Sequence, residues 1–128
     1  MVQLITGVPT CVGPVAYQRL DLAEKECDGA VHAAGQLGLD RRDLFMTAAS
    51  PEIIATTILN SHYTSYEAYV FALAYVMRKE YELIVSNGLV LQLDCPDLAM
   101  ESHGLYQDEP LEVSQDVVRL HIEAINNA

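Results

Sequence analysis

The chain has 128 residues, enough for one ordinary domain, and we treat residues 1–128 as a single domain. Apolar residues make up 51% of it, and 18 Asp and Glu against 7 Lys and Arg give a formal net charge of −11. An acidic surface repels phosphate backbones, no apolar run approaches the ~20 residues that span a bilayer, and no basic leader is present. We therefore expect a cytoplasmic protein that binds neither nucleic acid nor membrane.

The first half of the chain alternates between strand-like and helical patterns. Residues 2–5 predict a short strand, and a loop rich in glycine and proline follows, including Gly13 and Pro14. Apolar residues recur at helical spacing over residues 20–37, and Gly38 is a suitable stop. Residues 44–48 form a short apolar run that is typical of a buried strand.

Two helices are predicted between residues 50 and 88. Ser50 is placed to cap a short helix with Pro51 at its first position. Thr64 and Glu67 have the spacing of a capping box at the start of the second helix, and Gly88 predicts its end. The apolar face of this second helix is predicted to comprise Tyr66, Tyr69, Val70, Leu73, Val76, Met77, Tyr81 and Ile84.

The last third of the chain predicts one strand and one helix. Residues 89–94 are nearly all apolar until the carboxyl end of the run, as expected of a parallel strand, and residues 111–125 predict a final helix. Strands that alternate with helices predict an α/β fold with a parallel sheet and outer helices. About three strands are fewer than the eight of a closed barrel, so the chain is either a small open domain or part of a larger fold.

Polar residues gather at the carboxyl end of the last predicted strand. Gln92 and Asp94 share one strand face, at the end where ligands bind in parallel α/β folds. A carboxylate there can accept hydrogen bonds from an ammonium or hydroxyl group. Asp94 is equally suited to cap the following turn, and the spacing leaves both interpretations open.

Other reactive side chains have weaker patterns. Cys95 could be a nucleophile or a ligand, but no basic partner is placed by the sequence, which favours a packing residue. His103 lies in a long loop at the same end of the strand, where loops often carry function, although a solvated histidine is the simpler interpretation. Tyr75 and the other tyrosines of its helix are predicted to pack against neighbouring elements.

The spacing of cysteines and histidines predicts no metal site. The 3 cysteines include no CxxC pair, and the 4 histidines form neither an HxH nor an HExxH pattern. An odd number of widely spaced cysteines also argues against a disulfide framework, and reduced thiols fit the cytosol.

A longer pattern spans residues 66–99. The residues that carry it are, in order, Arg78, Glu80, Gly88, Gln92, Asp94 and Pro96. This order resembles the barrel segment of the cobalamin-independent methionine synthase family, where an Arg-x-Glu helix ends in Gly before a strand reading Gln-(Ile/Leu)-Asp-x-Pro. Gly13-Pro14 resembles the family's Thr-Gly-Pro turn, with Val12 in place of Thr. Residues 47–51 and 93–100 look closer to single-barrel members, which include the epoxyalkane–coenzyme M transferases.

The resemblance implies a partial (β/α)8 TIM-type barrel and a zinc-dependent transfer of a methyl or alkyl group to a thiol such as homocysteine or coenzyme M. Its partners would be a small-molecule thiol and a methyl or alkyl donor. Asp94 would hold the amino group of homocysteine, a group that coenzyme M lacks. Gln92, Gly13, Pro14 and His103 are further candidates for substrate binding, and the catalytic residues stay unknown.

The family's zinc ligands are a His-x-Cys pair, a Glu and a distant Cys, all downstream of this strand. His121 is followed by Ile122 and then by Glu123 where the family has its cysteine, so His121 does not begin a His-x-Cys pair. We therefore expect a barrel fragment truncated at its C-terminal end, with no zinc site and no transferase activity of its own.

Two alternatives stay open. A non-catalytic barrel remnant or assembly module could self-associate through open sheet edges. A relative of uroporphyrinogen decarboxylase would be a metal-free barrel enzyme. A downstream reading frame that encodes His-x-Cys would favour the transferase, whereas a true stop with no second piece nearby would favour the assembly module.

Overall fold

A computed structural model describes residues 7–100, 103–104 and 106–128, so the strand predicted at residues 2–5 lies outside the described residues. The fold is mixed α/β, as the alternating pattern predicts. Its elements are β1 (Thr10–Cys11), α1 (Leu20–Leu37), β2 (Phe45–Ala49), α2 (Pro51–Thr57), β3 (Leu59–Asn60), α3 (Tyr66–Ser86), β4 (Val90–Asp94), α4 (Asp97–Met100) and α5 (Leu111–Asn126).

The principal sheet is the parallel pair of β2 and β4. Phe45 pairs with Val90 and Ala49 with Asp94, so the two strands end side by side. The backbone N–H of Ser50 donates to the carbonyl of Asp94 at 3.2 Å and extends the ladder beyond the strands. The predicted parallel arrangement of these two strands is therefore confirmed.

A second parallel pair joins β1 to β3, each only two residues long. Neither strand is predictable from the sequence, because two residues are too few to show an alternating pattern. The described residues form two separate two-stranded sheets, and no barrel is formed from them.

The helix boundaries confirm most of the predicted caps and correct one. Gly38 ends α1 with a φ of 68°, and the Ser50 hydroxyl accepts from the N–H of Ile53 at the start of α2. The predicted capping box at Thr64 and Glu67 is wrong. The cap of α3 is Ser65, whose hydroxyl accepts from the N–H of Ala68, so the helix starts one residue later than the pattern suggests.

The core lies on one side of the β2–β4 sheet. Side chains of β2 and β4 on this side pack against α1 and α3, whose buried contributors include Cys27, Met77, Tyr81 and Ile84. A second cluster joins α2, α3 and α5 around Tyr69 and Val70. Tyr75 is 68% exposed, because it lies on the outer face of α3, so the prediction that it packs is wrong.

Within the described ranges, no helix combines the length and the apolar character needed to cross a membrane.

Candidate functional site

The exposed face of the β2–β4 sheet carries the two polar residues singled out at the strand end. Val90, Gln92 and Asp94 are exposed, whereas Leu91 and Leu93 turn towards the core, and this alternation confirms the predicted strand faces. On β2 the paired residues alternate in the same way, which puts Thr47 beside Gln92 and Ala49 beside Asp94. Gln92 and Asp94 therefore stand together at the carboxyl end of the open sheet face.

Gly13 and Pro14 lie elsewhere, in the loop between β1 and α1. This loop borders an open apolar cavity of about 530 Å³ whose other wall is built from α2 and α3, including Ile54, Leu73 and Met77. Neither Gln92 nor Asp94 lines that cavity. The structure thus does not bring the two pairs into this one space, and their joint role in substrate binding stays a prediction.

His103 is exposed in the turn after α4, where its backbone N–H donates to the carbonyl of Met100 at 3.0 Å. Cys95 is half-buried, and burial raises the pKa of its thiol, with a hydrogen bond to Ser50 opposing the rise and the nearby acidic side chains adding to it. A thiol held in its protonated form is a poor nucleophile. The raised pKa makes Cys95 a weak nucleophile, and its role as a packing residue stays a prediction.

The Arg-x-Glu residues of α3 tie neighbouring elements to that helix. The guanidinium of Arg78 donates to the carbonyl of Asn127 beyond α5, and the carboxylate of Glu80 accepts from the hydroxyl of Tyr17 in the loop before α1. Burial and the adjacent Glu80 carboxylate raise the pKa of Tyr17, so its hydroxyl keeps the proton that it donates. These two contacts hold α3 against the loop before α1 and against the residue that follows α5.

A buried polar cluster occupies the space beneath the carboxyl ends of β2 and β4. Ser50 follows β2 directly and Asp97 begins α4 just after β4, and the Ser50 hydroxyl donates to Asp97 Oδ1 at 3.3 Å. His121 on α5 contacts Asp97 Oδ2 through Nδ1 at 2.9 Å and the hydroxyl of Tyr66 through Nε2 at 3.0 Å. The side chains of His121 and Asp97 are 0% and 1% exposed.

The geometry of this cluster assigns protons. Burial lowers the pKa of His121, and the hydrogen bond and charge of Asp97 only partly oppose this effect. A neutral imidazole with its proton on Nδ1 donates to Asp97, which leaves Nε2 to accept from Tyr66. The Ser50 hydroxyl bonds to the Asp97 carboxylate and not to the imidazole, so this cluster does not have the serine–histidine contact of a serine nucleophile and its base. The cluster binds α2, α3, α4 and α5 together.

Glu52 lies beside this cluster and is less well satisfied than its other members in the described part of the chain. It lies in the first turn of α2 and is 0% exposed, and neither carboxyl oxygen has a hydrogen bond of normal geometry to a described residue. Burial raises the pKa of Glu52 to about 7. Its own backbone N–H and the Ser50 hydroxyl lower it in part, and the Asp97 charge adds to the rise.

Sequence reasoning missed this cluster, although one signal was available. Ser114, His121 and Ala124 recur at helical spacing on the buried face of α5, so a histidine stands where an apolar residue is expected. Such a position requires a buried hydrogen-bond partner. Nothing in the sequence indicates that the partner is Asp97.

Candidate metal ligands are not grouped in the described part of the chain. Residues 7–100, 103–104 and 106–128 contain no group of three or more His, Cys, Asp or Glu side chains that could hold a metal ion. The close pair of Asp97 and His121 satisfies its own hydrogen-bonding atoms with Ser50 and Tyr66.

The fold and site define a mixed α/β chain whose parallel strands end beside a buried polar cluster. No family model, curated protein or solved structure matches the chain.

Proposed function

We propose that this chain is part of a (β/α) barrel of the cobalamin-independent methionine synthase type, which transfers a methyl or alkyl group to a small thiol. In this proposal the carboxyl end of β4 contributes substrate-binding residues. The observation that carries it is the position of Gln92 and Asp94, exposed side by side at the carboxyl end of an uncovered parallel sheet.

One-sided coverage of the sheet supports the barrel. Open parallel sheets are normally covered by helices on both faces, whereas barrel strands carry helices on the outside and turn the other face inward. Here α1 and α3 both pack on the face formed by Met46, Ala48 and Leu91. The opposite face carries Thr47, Gln92 and Asp94, as the inner wall of a barrel would near its ligand-binding end.

The chemistry of Asp94 favours a substrate with an ammonium group. An exposed carboxylate at a strand end can accept charge-assisted hydrogen bonds from an amino acid such as homocysteine. Gln92 has both a donor and an acceptor and lies two residues away on the same face. These two side chains would orient the thiol substrate and would take no part in breaking bonds.

Zinc in such an enzyme would keep the thiol as a thiolate. Because the described residues supply no group of metal ligands, we assign them no step at the metal. Their proposed contribution is to bind and orient the substrate.

The test is an assay of the complete polypeptide that contains residues 1–128, purified with its metal. We expect stoichiometric zinc, alkylation of homocysteine or coenzyme M, and loss of activity on chelation that added zinc restores. Asp116→Asn, an exposed change on α5, serves as the control with unaltered activity. A polypeptide that binds no zinc and alkylates neither thiol would refute the proposal.

A second candidate function rests on the same sheet face. Phe45 and Val90 are register partners, 63% and 50% exposed, at the opposite end from Asp94. Paired exposed apolar residues favour a surface that another chain covers, as in an assembly module. Sedimentation of the chain with and without Phe45→Glu distinguishes the two: a dimer that this change dissociates, in a polypeptide without zinc, supports the module.

A further inference from the structure

Glu52 has an environment that ionised carboxylates avoid. Its side chain is fully buried, and among the described residues neither oxygen has a hydrogen bond of normal geometry. An ionised carboxylate without partners in such a place costs far more free energy than the neutral acid. The neighbouring serine cap, by contrast, satisfies both the N–H of Ile53 and the carboxylate of Asp97.

The groups that face Glu52 come from several elements, and none of them is cationic. Asp97 on α4 adds a negative charge, and Cys95 in the preceding turn is a thiol held in its neutral form. Tyr81 on α3 donates its hydroxyl to the carbonyl of Ala49 at 2.6 Å, and its pKa is raised by burial and by the charge of Glu52. His121 on α5 lies behind Asp97 and is neutral.

We propose that Glu52 is a proton-dependent switch: the folded chain holds its side chain as the neutral acid, and loss of that proton loosens the first turn of α2 at the carboxyl ends of β2 and β4. Ionisation would place a second negative charge beside Asp97, and the described groups around the two carboxylates include no cation to offset either. The inference is independent of the proposed function, because it depends only on contacts of Glu52.

Ionisation of Glu52 would affect the sheet, because Glu52 lies close to the end of β2 in the chain. Only Ser50 and Pro51 separate Glu52 from β2, and the ladder between β2 and β4 continues through the N–H of Ser50 to the carbonyl of Asp94. A first turn of α2 that moves outward to hydrate Glu52 would pull on Ser50. It would therefore weaken both the Ser50–Asp97 hydrogen bond and the last pairing of the sheet.

The sign of the effect follows from linkage. A carboxyl whose pKa is higher in the folded state than in the unfolded state contributes stability at low pH and loses it as the pH rises. For Glu52 this loss runs from the unfolded value of 4.5 to about 7. The chain is therefore expected to become easier to unfold across this window, opposite to the usual behaviour of carboxylates in ion pairs.

Glu52→Gln tests the switch, because glutamine is a neutral side chain of nearly the same shape as the protonated acid. We expect the unfolding constant of the wild type, relative to that of Glu52→Gln, to rise on the order of 50- to 100-fold between about pH 5 and about pH 8. Urea unfolding followed by circular dichroism is the measurement, since the chain contains no tryptophan. The matched control is Glu82→Gln, an exposed change on α3. For this control we expect the ratio of the wild-type unfolding constant to the variant unfolding constant to stay the same at every pH.

Infrared spectroscopy provides an independent readout on the folded chain. We expect the C=O band of a protonated carboxylic acid near about pH 6 in the wild type, its absence in Glu52→Gln, and its loss in the wild type by about pH 8. A pH-independent ratio of unfolding constants, a missing band, or failure of Glu52→Gln to fold would each overturn the proposal.

Discussion

The Nδ1 atom of His121 lies 2.9 Å from Oδ2 of Asp97, and this contact joins α5 to the turn that follows β4. Both side chains are excluded from solvent. Because Asp97 also accepts from Ser50, and His121 also contacts Tyr66, a single pair connects four helices across the carboxyl side of the sheet. We regard this pair as the centre of the packing between α5 and the rest of the chain.

Removing Asp97 should destabilise the protein strongly. Asp97→Ala leaves the neutral imidazole N–H of His121 and the hydroxyl of Ser50 buried without their acceptor, and each buried donor left without a partner costs about 1–3 kcal/mol. Chemical denaturation measures the free energy of unfolding. Asp116→Ala, which removes an exposed partner of Arg119 on α5, should change it by less than about 0.5 kcal/mol. Equal losses in the free energy of unfolding for Asp97→Ala and Asp116→Ala would show that the buried contact stabilises the fold no more than an exposed ion pair does.

The two serine caps should differ in their contributions. Ser50→Ala removes a cap and a buried hydrogen bond to Asp97, whereas Ser65→Ala removes only an exposed cap at α3. We expect a loss of about 1 kcal/mol for Ser65→Ala and about 2–3 kcal/mol for Ser50→Ala. Thermal and urea unfolding of the two variants side by side would reveal the difference, and a larger loss at Ser65 would contradict the assignment.

Two glycines provide opposite predictions for the same substitution. Gly88 has a φ of 79° between α3 and β4, so Gly88→Ala should cost about 1–2 kcal/mol of backbone strain. The cost is not a steric clash, because the nearest atom to an added Cβ is in the Arg41 side chain, 3.7 Å away. Gly29 lies inside α1 with nothing within 4 Å of an added Cβ. Gly29→Ala should therefore stabilise the protein by up to about 1 kcal/mol. Reversed signs in urea titrations would show that the helix boundaries are misplaced.

The purified 128-residue chain should not bind zinc tightly. Tight sites need three or four ligands at about 2.0–2.3 Å, and the described ranges contain no suitable group. Calorimetric titration with zinc should give no saturable heat in the micromolar range. Stoichiometric binding there would show that residues outside the described ranges complete a compact site.

Much of the fold could be predicted from local patterns. The bounds of α1, the Ser50 cap, the end of α3 near Gly88 and the parallel pairing of β2 with β4 follow from apolar spacing and from residues that suit helix ends. These features depend on short stretches of chain. The predicted cap of α3 is wrong by one residue because Thr64 and Ser65 are adjacent and chemically similar.

The buried cluster could not be predicted, because its members are far apart in sequence. His121 is 24 residues from Asp97 and 55 from Tyr66, and Glu52 belongs to a first helical turn where acidic residues are normally solvated. Only tertiary packing removes Glu52 from water. Likewise, the sequence analysis names Gly13 and Asp94 as candidates for substrate binding, whereas Gly13 lines a cavity bordered by α2 and α3 that Asp94 does not line.

The most direct test of the proposed function is the Michaelis constant for homocysteine in the zinc-loaded complete polypeptide with and without Asp94→Asn. A lost charge-assisted contact of about 1.5–3 kcal/mol predicts a rise of about 10- to 150-fold for homocysteine. The constant for coenzyme M, which lacks the amino group, should change little. Equal constants for wild type and Asp94→Asn with every thiol that the enzyme alkylates, or no thiol alkylation at all, would contradict the account.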